Sequence, residues 1–334
     1  MKRLIAEFEA QSFTQIIFPH ARTDWIEYLE EVKSTFINII NVVKKFQKCL
    51  VVCADKNHVE RLFSDHTNLY FVEYETNDTW ARDCSVISIH ENGVVKLLNF
   101  DFSAWGGKFE ASKDNQMSQA LSTNYSAELL NVEYTLEGGA IESNGAGTLL
   151  TTATCMNNPN RNSTLNVVQR EQRLKEIFGL KEVLYLKHGY LVGDDTDSHI
   201  DTLARFIDSN VVMYVVCQNR EDEHYETLSL MEKELQSIAL THNYKLIPLP
   251  LPSPLYYDNE RLPATYANFL FVNGAVLVPT YGVKEDEEAL RIFRETFKER
   301  EVVGIDCSVL VRQHGSLHCV TMNFAKGVEL TSLK

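Results

Sequence analysis

A thiol near the end of the chain is the side chain best suited to covalent chemistry. Cys319 follows His318, and the surrounding LHCVTM predicts a strand that begins near the cysteine. The glycine-containing loop His314-Gly315-Ser316 precedes it, so we expect a thiol exposed at a sheet edge. A thiolate is a strong nucleophile, although an unperturbed thiol with a pKa of ~8.5 is only a few per cent ionised at neutral pH. The alternative is a buried structural cysteine, the usual role of this residue.

A histidine and an aspartate two residues apart form the second candidate group. His199-Ile200-Asp201 precedes an apolar run, and in a strand residues i and i+2 point to the same face. This spacing predicts a general acid or base beside an anionic binding group. Asp194, Asp195 and Asp197 lie just upstream, and with Asp201 they could instead supply oxygen ligands to a divalent metal. The spacing of an EF-hand loop is missing from this segment, which disfavours calcium.

Two further segments contain carboxylates. One places them beside a tryptophan that could bind a cation, and the other places a glutamate before glycines that allow the backbone to approach a ligand closely. Residues 78–83 contain two aspartates, an arginine and Trp80, and a tryptophan face can stack on a delocalised cation. The same segment could be a surface turn closed by its own aspartate and arginine. Glu137 precedes Gly138-Gly139, where the backbone could approach a ligand closely or simply turn.

One thiol, one imidazole and three carboxylates together predict an anionic pocket that contains a nucleophile. Carboxylates bind a guanidinium through paired, parallel hydrogen bonds that are stronger than neutral ones, so the set favours a planar cation as substrate. The carboxylates oppose ionisation of Cys319 in an empty site, and an arriving cation favours it. We therefore expect a thiol that is alkylated slowly until a cation is bound.

The composition is typical of an ordinary folded protein and excludes several function classes. The chain has 334 residues, of which 44% are hydrophobic and 23% are charged, unlike a disordered chain. No apolar run approaches the length of a membrane-spanning helix, so no membrane partner is expected. A formal charge of −14 without a Lys/Arg cluster disfavours nucleic acid and favours a small cationic substrate.

The cysteine content and the first residues bear on the cellular compartment. Seven cysteines are present, with no Cys-x-x-Cys pair. The two positive charges at the start precede a run that Glu7 and Glu9 interrupt, so no signal-peptide core follows. These features predict free thiols and a cytoplasmic location.

A strand–turn–strand pattern recurs along the chain. Apolar, β-branched runs flank short turns, and Asn-Gly between such runs is a strong hairpin signal because a type I′ turn requires two positive φ angles. Segments with apolar residues at helical spacing separate the hairpins. The turns lie at residues 92–93, 144–145, 209–210 and 273–274, and the helix-like segments lie at residues 25–46, 163–179 and 224–243. This repetition indicates either a propeller-like radial array or an ordinary mixed α/β sheet.

Several motifs resemble those of a guanidine-modifying family, the agmatine deiminases and bacterial peptidyl-arginine deiminases. The resemblance covers nearly the whole chain in family order. It implies a pentein fold, an α/β-propeller of five ββαβ-type units around a pseudo-fivefold axis, in a single catalytic domain over residues 1–334. The motifs are NDTWARD (77–83), FSAWGGK (102–108), EGGAIESNGAGTLLTTATCMNNPNRN (137–162), DDTDSHIDTLARF (194–206), PATYANFLFVNGAVLVP (263–279) and LHC (317–319).

The resemblance also implies catalytic roles for five residues. Cys319 corresponds to the nucleophile, and His199 and Asp201 correspond to the His-x-Asp pair. Asp83 corresponds to the carboxylate of a Trp-x-Arg-Asp motif. Glu137 corresponds to the glutamate that hydrogen-bonds and orients His199.

The implied activity is hydrolysis of agmatine to N-carbamoylputrescine and ammonia through a covalent amidino-cysteine. Trp80 and Asp195 would line the agmatine channel. His199 would protonate the departing nitrogen and then remove a proton from the attacking water. The resemblance implies no cofactor and no metal, and it allows a homodimer.

Several alternatives remain open at this stage. The substrate could be free arginine or peptidyl-arginine, and an amidinotransferase on the same fold would pass the amidine to an amine. His314, His318 and Cys319 could instead bind zinc, although His-x₃-His spacing suits zinc only on a helix. A non-catalytic binding module would not need the complete set of Cys, His and acidic residues, and this disfavours that alternative. A papain-like protease does not require carboxylates around its thiol.

The chain departs from the family pattern near the catalytic motifs. Ser198 stands where the family has glycine, and residues 314–319 replace Gly-Gly-Asn-Ile-His-Cys. Ser85-Val86 replaces Gly-Pro, and Ala153 replaces a common glutamate. None of these changes removes a candidate catalytic residue, so they bear on the range of substrates.

Overall fold

The computed structural model describes residues 2–331, in which α-helices and β-strands alternate. This is the α/β class that the sequence predicts. The α-helices are α1 (Leu29–Val43), α2 (Lys56–Glu60), α3 (Ala81–Cys84), α4 (Ala104–Gly107), α5 (Asp114–Ala120), α6 (Ala153–Met156), α7 (Val167–Phe178), α8 (Tyr225–His242) and α9 (Glu285–Thr296). The β-strands are β1 (Lys2–Leu4), β2 (Gln11–Ile17), β3 (Lys48–Cys53), β4 (Leu69–Glu73), β5 (Ile87–Glu91), β6 (Val94–Asp101), β7 (Glu128–Thr135), β8 (Glu142–Ser143), β9 (Thr148–Thr152), β10 (Glu182–Leu186), β11 (Ala204–Asp208), β12 (Val211–Val216), β13 (Lys245–Pro250), β14 (Tyr256–Tyr257), β15 (Glu260–Arg261), β16 (Leu270–Val272), β17 (Ala275–Thr280), β18 (Glu301–Asp306) and β19 (Thr321–Ala325). Short 3₁₀ helices occur at Asp24–Tyr28, Ser122–Asn124, Gly138–Ala140, Ile200–Thr202 and Leu310–Gln313.

Five of the sheets formed within residues 2–331 share one strand arrangement. Each contains an antiparallel pair whose second strand also pairs in parallel with a third strand. One or more helices connect the two parallel strands, as α1 connects β2 to β3. These strand sets are β5-β6-β7, β8-β9-β10, β11-β12-β13, β16-β17-β18 and β19-β2-β3. The order strand, strand, helix, strand therefore recurs, while an arrangement of the sheets around one axis stays a prediction.

The turns predicted from the sequence connect antiparallel strands. Asn92-Gly93 joins β5 to β6 with φ angles of 53° and 86°, both positive as a type I′ turn requires. Asn273-Gly274 joins β16 to β17, and residues 209–210 join β11 to β12. The loop that begins at Asn144 is longer, and its Oδ1 accepts hydrogen bonds from two backbone N–H groups of the loop.

The helices pack an apolar face on the sheets. In α1 the buried residues recur every three or four positions, the spacing of one helix face, and they include Val32, Phe36, Ile39, Ile40 and Val43. These side chains belong to a core cluster that reaches from the first strand to the last. Within residues 2–331, none of the helices combines the length and the apolar character needed to cross a bilayer.

The two ends of the chain meet in one sheet, and this contact positions the candidate nucleophile. Strand β19 pairs antiparallel with β2, with Phe324 opposite Phe13. The two rings are fully buried and stack with centroids 4.2 Å apart. Cys319 lies in the turn just before β19 rather than at the start of the strand, as the apolar run had suggested. Because β19 is fixed on β2, the turn that contains Cys319 lies close to the first turn of the chain, where Glu7 contacts His318.

The prediction of a strand at the His-x-Asp pair is wrong. His199 precedes the 3₁₀ helix Ile200–Thr202, which contains Asp201, and the strand begins only at residue 204. The cause is a backbone reversal immediately upstream, where Asp197 and Ser198 have φ angles of 69° and 62°. A strand cannot continue through consecutive left-handed residues. His199 and Asp201 therefore lie in a tight turn beside the site, and not in a strand.

The stacked aromatic pair is expected to stabilise the sheet that carries the nucleophile. Replacing a buried phenylalanine by alanine removes apolar contacts and leaves a cavity, a loss of about 3–5 kcal/mol. We expect Phe324→Ala to lower the free energy of unfolding by that amount in urea titrations followed by circular dichroism. Leu240→Ala, at a leucine that is 88% exposed, is the control and should change the value little. Equal effects of the two substitutions would contradict this account of the sheet.

Candidate active site

Cys319 is held by an asparagine from another part of the chain. Oδ1 of Asn268 accepts a hydrogen bond from the backbone N–H of His318 at 2.9 Å, and Nδ2 of Asn268 lies 3.2 Å from Sγ of Cys319. An amide N–H aimed at sulfur stabilises a thiolate relative to a thiol. The thiol is 8% exposed and lines a pocket. It is therefore accessible to a small ligand through that pocket.

Two buried carboxylates lie beside the thiol. Oδ2 of Asp201 is 4.0 Å from Sγ of Cys319, and Oδ1 of Asp201 is buried without a hydrogen-bond partner in the described structure. Asp83, in α3, accepts hydrogen bonds from Nε1 of Trp105 at 2.9 Å and from the backbone N–H of Gly139 at 2.8 Å. Asp83 is thus fixed by two donors, and Asp201 keeps an oxygen available to a ligand.

The imidazole of His199 lies between two carboxylates. Nδ1 of His199 is 3.7 Å from Oδ1 of Asp83, and Nε2 is 3.9 Å from Oε2 of Glu137. The hydrogen bond expected between Glu137 and His199 is not formed at this distance. Nε of Arg161 donates to the same glutamate oxygen at 2.7 Å, which explains the separation. Nε2 of His199 is consequently buried without a hydrogen-bond partner.

Gly139 allows these groups to converge. A Cβ atom at this position would lie 2.7 Å from Nδ1 of His199 and 3.0 Å from both Oδ2 of Asp201 and Oδ1 of Asp83. Distances this short are not compatible with any side chain. The sequence suggested that the Gly138-Gly139 pair forms a flexible turn. In the structure, the imidazole and both carboxylates pack against Gly139.

The pocket that leads to the thiol has a volume of about 330 Å³ and an acidic wall. Trp80 and Asp195, the two residues predicted to line a substrate channel, both contribute to it. No arginine or lysine lies among its described lining residues. The other lining residues are Asp24, Asp78, Asp83, Trp105, Phe109, Thr196, Gln313, His314, Gly315 and Cys319.

Burial controls the protonation of the catalytic groups. It raises the pKa of Asp83 to about 7, with a further contribution from Glu137, and raises the pKa of Asp201 well above its ordinary value, with a contribution from Asp83. The pKa of the Cys319 thiol is also raised well above its ordinary value, by burial and by both aspartates. Burial, assisted by the charges of Arg161 and Lys108, lowers the pKa of His199 well below its ordinary value. The empty site thus favours a neutral thiol and a neutral imidazole.

The carboxylates at the mouth of the pocket are also perturbed. Burial and the neighbouring Asp194 raise the pKa of Asp195 to about 6. Burial raises the pKa of Asp78 to about 7, although its hydrogen bonds with Thr79 and Trp80 act in the opposite direction. A cation that enters the pocket would favour the ionised form of each carboxyl group.

Two departures from the family pattern occur at left-handed backbone positions. Ser198 and His314 have φ angles of 62° and 64°, where glycine is favoured. Ser316, a third departure, places its hydroxyl 2.8 Å from the phenolic oxygen of Tyr281. Serine and histidine therefore occupy conformations that glycine would adopt without strain, and both flank the catalytic residues.

One group of side chains in residues 2–331 is close enough to hold a metal. One ligand atom from each of Glu137, Cys155 and His199 lies within 4.8 Å of the others. The guanidinium of Arg161 already pairs with Glu137 at this point, so a metal cation would face a positive charge. The zinc set considered from sequence is not found in the described part of the chain, where His314, His318 and Cys319 do not form a group close enough to share a metal.

Several residues of the site had no role assigned from the sequence. Asn268 and Trp105 lie inside the family motifs, but nothing in their spacing indicates a contact with Cys319 or Asp83. Trp105 also has a left-handed φ of 55°, which a tryptophan rarely adopts. Arg161 also lies inside a family motif, and its guanidinium is buried on the carboxylate of Glu137. The fourth missed residue, Glu7, contacts His318 across most of the chain length.

The raised pKa of Cys319 predicts a slow alkylation that a bound cation accelerates. Iodoacetamide should modify the empty protein slowly at neutral pH, with a rate that keeps rising into the alkaline range, because only the thiolate reacts. A small non-reactive guanidine should increase the rate by stabilising the thiolate. The rate is measured against pH, and a Cys319→Ser variant corrects for the other thiols. Fast modification of the empty protein at neutral pH would contradict the account.

The comparisons with known proteins agree with the motifs and the geometry. A model of the Porphyromonas-type peptidyl-arginine deiminase family matches residues 3–324. The agmatine deiminase of Pseudomonas aeruginosa is 28% identical over 96% of this chain and 94% of its own length. A cysteine-to-serine variant of the C. jejuni agmatine deiminase, solved with substrate bound, is 43% identical and superposes with a TM-score of 0.94 over 98% of this chain and 97% of that chain. The agmatine deiminase of Enterococcus faecalis is 25% identical, with a TM-score of 0.91 over 98% and 96% of the two chains. With a family match over nearly its whole length, the chain belongs to the Porphyromonas-type peptidyl-arginine deiminase family.

Proposed function

We propose that the protein is an agmatine deiminase, which hydrolyses agmatine to N-carbamoylputrescine and ammonia. The observation that carries this proposal is the convergence of Cys319, His199, Asp83 and Asp201 around Gly139 at an acidic pocket. The names of the three similar agmatine deiminases support the same substrate. No cofactor is part of the proposed reaction.

The guanidinium is bound by the two buried aspartates. Oδ1 of Asp201 is buried and unpaired, so it can accept a hydrogen bond from a guanidinium N–H. Asp83 also lies against Gly139 and offers a second carboxylate. Paired, charge-assisted hydrogen bonds of this kind fix both the position and the orientation of a planar cation. The guanidinium carbon would then face Sγ of Cys319.

The reaction proceeds in two half-reactions. His199, neutral in the empty site, takes the thiol proton, and the thiolate of Cys319 adds to the guanidinium carbon while Nδ2 of Asn268 stabilises the sulfur. The imidazolium returns its proton to the departing nitrogen, which leaves as ammonia, and an amidino-cysteine remains. His199 then removes a proton from water, and the resulting hydroxide adds to the amidino carbon. The C–S bond breaks, the proton remaining on the added oxygen passes to the leaving sulfur, and the neutral ureido product is released. The proton on His199 then passes to solvent. General acid–base help of this kind contributes about 10²–10⁴-fold to a rate.

Glu137 acts on His199 at a distance in this mechanism. Its carboxylate is 3.9 Å from Nε2 of His199, close enough to stabilise the imidazolium electrostatically as it forms. Arg161 and Ser103 hold the carboxylate through hydrogen bonds at 2.7 and 3.3 Å. Glu137 is therefore a positioning residue whose charge compensates the transient proton on His199.

The shape and charge of the pocket favour agmatine over arginine. Arginine carries an α-carboxylate, which needs a cationic partner, and the described pocket lining contains no arginine or lysine. The second amine of agmatine is a cation that suits Asp195 and the other mouth carboxylates, while Trp80 supports the alkyl chain. These contacts support a linear diamine-like substrate over an amino acid or a peptide.

The larger-scale expectations are part of the same proposal. We infer that the five similar sheets surround a pseudo-fivefold axis and that residues 1–334 form one catalytic domain. The homodimer and the cytoplasmic location also remain predictions from sequence and resemblance.

A substrate assay tests the proposal directly. The protein is incubated separately with agmatine, arginine and an arginyl peptide, and ureido product and ammonia are measured with no amine acceptor present. We expect product from agmatine, and a loss of at least ~10³-fold in Cys319→Ser because the nucleophile is removed. The matched control is Cys53→Ser, at a buried thiol that is hydrogen-bonded to a backbone carbonyl, and this variant should retain activity. Turnover of arginine or peptide in place of agmatine, or ammonia release only with an added amine, would overturn the assignment.

The raised pKa of Asp195 predicts a pH-dependent affinity for agmatine. Below about pH 6 the carboxyl group is protonated and neutral, so KM should fall as pH rises through this value. Asp195→Asn should raise KM by about 10-fold at neutral pH, affect kcat less and remove this pH dependence. Steady-state kinetics from pH 5 to 8 measure both parameters, with Glu288→Gln at an exposed carboxylate as the control. The proposal for Asp195 fails if the variant keeps the wild-type dependence of KM on pH.

A further inference from the structure

A buried histidine beside the nucleophile bridges two carboxylates. Nδ1 of His318 lies 2.7 Å from Oδ2 of Asp201, and Nε2 lies 2.6 Å from Oε2 of Glu7. The side chains of His318 and Asp201 are 2% and 1% exposed, and that of Glu7 is 11% exposed. The reaction described above uses Asp201 but assigns no role to His318 or Glu7.

Both short contacts require a hydrogen atom between nitrogen and oxygen. A neutral imidazole has one N–H group, so it can supply only one of them. The three side chains must therefore hold two shared protons. These occur either as an imidazolium between two carboxylates, or as a neutral imidazole between one carboxylic acid and one carboxylate. The two forms contain the same number of protons and carry the same net charge.

The surroundings of Glu7 keep its carboxylate ionised. Nη2 of Arg205 lies 2.8 Å from Oε2 of Glu7, Nη1 of Arg82 lies 3.5 Å from it, and the backbone N–H of Phe271 donates to Oε1 at 3.2 Å. Burial acts in the opposite direction, but the charges of His318, Arg205 and Arg82 hold the pKa of Glu7 well below its ordinary value. The mobile proton is therefore shared between Asp201 and His318.

The surroundings of Asp201 place that proton on the aspartate when the site is empty. Asp83, Asp194 and Glu7 face Asp201 with negative charge, and Arg82 is the opposing cation. Burial and the charges of Arg205 and Arg82 disfavour an imidazolium at His318, while Glu7 favours it. The empty site thus contains Asp201 as an acid that donates to a neutral His318.

We propose that Asp201, His318 and Glu7 form a proton relay that converts Asp201 into a carboxylate when the substrate guanidinium binds. The O–H bond at Oδ2 of Asp201 breaks, an N–H bond forms at Nδ1 of His318, and the N–H at Nε2 continues to donate to Glu7. No proton enters or leaves the protein in this step. His318 and Glu7 are positioning residues that act through Asp201, and the inference rests on the proposed binding of a guanidinium there.

The pH dependence of a Glu7→Gln variant tests the relay in the working enzyme. A neutral glutamine does not stabilise the imidazolium, so Asp201 would have to lose its proton to solvent before the cation binds. We expect kcat/KM for agmatine to fall about 10- to 100-fold at pH 7, mainly through KM. It should then rise about tenfold per pH unit at alkaline pH, because a single proton is lost, where the wild type is flat.

The matched control for this variant is Glu9→Gln. Glu9 lines the same small cavity as Glu7, but its carboxylate pairs with Arg3 and does not contact His318. Its kcat/KM profile should follow that of the wild type. A Glu7→Gln profile that is lowered by the same factor at every pH indicates a structural role and overturns the relay.

A second measurement does not depend on the folding of the Glu7 variant. Nitrogen NMR of histidine-labelled Cys319→Ser protein follows the His318 ring, assigned as the signal lost after a further His318→Gln substitution. Agmatine should move both ring nitrogens of His318 to imidazolium positions. A His318 ring that stays neutral in the complex overturns the proposal. Wild-type turnover of agmatine is measured first, so a wrong substrate gives no turnover, whereas a wrong relay gives normal turnover with an unchanged ring.

Discussion

The site depends on the cost of burying two carboxylates beside a thiol. Asp83 and Asp201 both lie against Gly139, and Sγ of Cys319 is 4.0 Å from Oδ2 of Asp201. Like charges in a poorly solvated pocket cannot all ionise, so the empty site favours protonated groups. A bound guanidinium supplies the missing positive charge, and the nucleophile, the binding groups and the acid–base histidine then become active together. Selectivity for a cation and activation of the thiol follow from the same constraint.

The fold provides this constraint by joining residues that are far apart in sequence. Pairing of β19 with β2 brings the turn that contains Cys319 next to Glu7. Left-handed residues just before His199 turn the imidazole and Asp201 toward Gly139. The left-handed residues before His199 go against local backbone preference, since a non-glycine residue in this region of φ is disfavoured. Such positions are common at functional sites, where surrounding contacts hold the strained conformation.

The α/β fold class, and the residues that lie together at the candidate site, could be predicted from the sequence. Asn92-Gly93 indicated its hairpin because the turn requires two positive φ angles, a property of the residues themselves. The strand expected at His199 was wrong because alternation in a short run says nothing about the reversal at Asp197 and Ser198. The contacts of Asn268, Arg161 and Glu7 could not be predicted, since they depend on tertiary packing between segments with no shared pattern. The bond from Glu7 to His318, for example, spans 311 positions.

The central claim is that a cation completes the charge balance of the site and thereby ionises Cys319. Thiolate absorbs in the ultraviolet where a thiol does not, so a difference spectrum against the Cys319→Ser protein reports this ionisation directly. Titration with a non-reactive guanidine at neutral pH should produce an absorbance increase that saturates at one thiolate per chain. A full thiolate signal in the ligand-free protein, or saturation with the guanidine without any increase, would contradict the account.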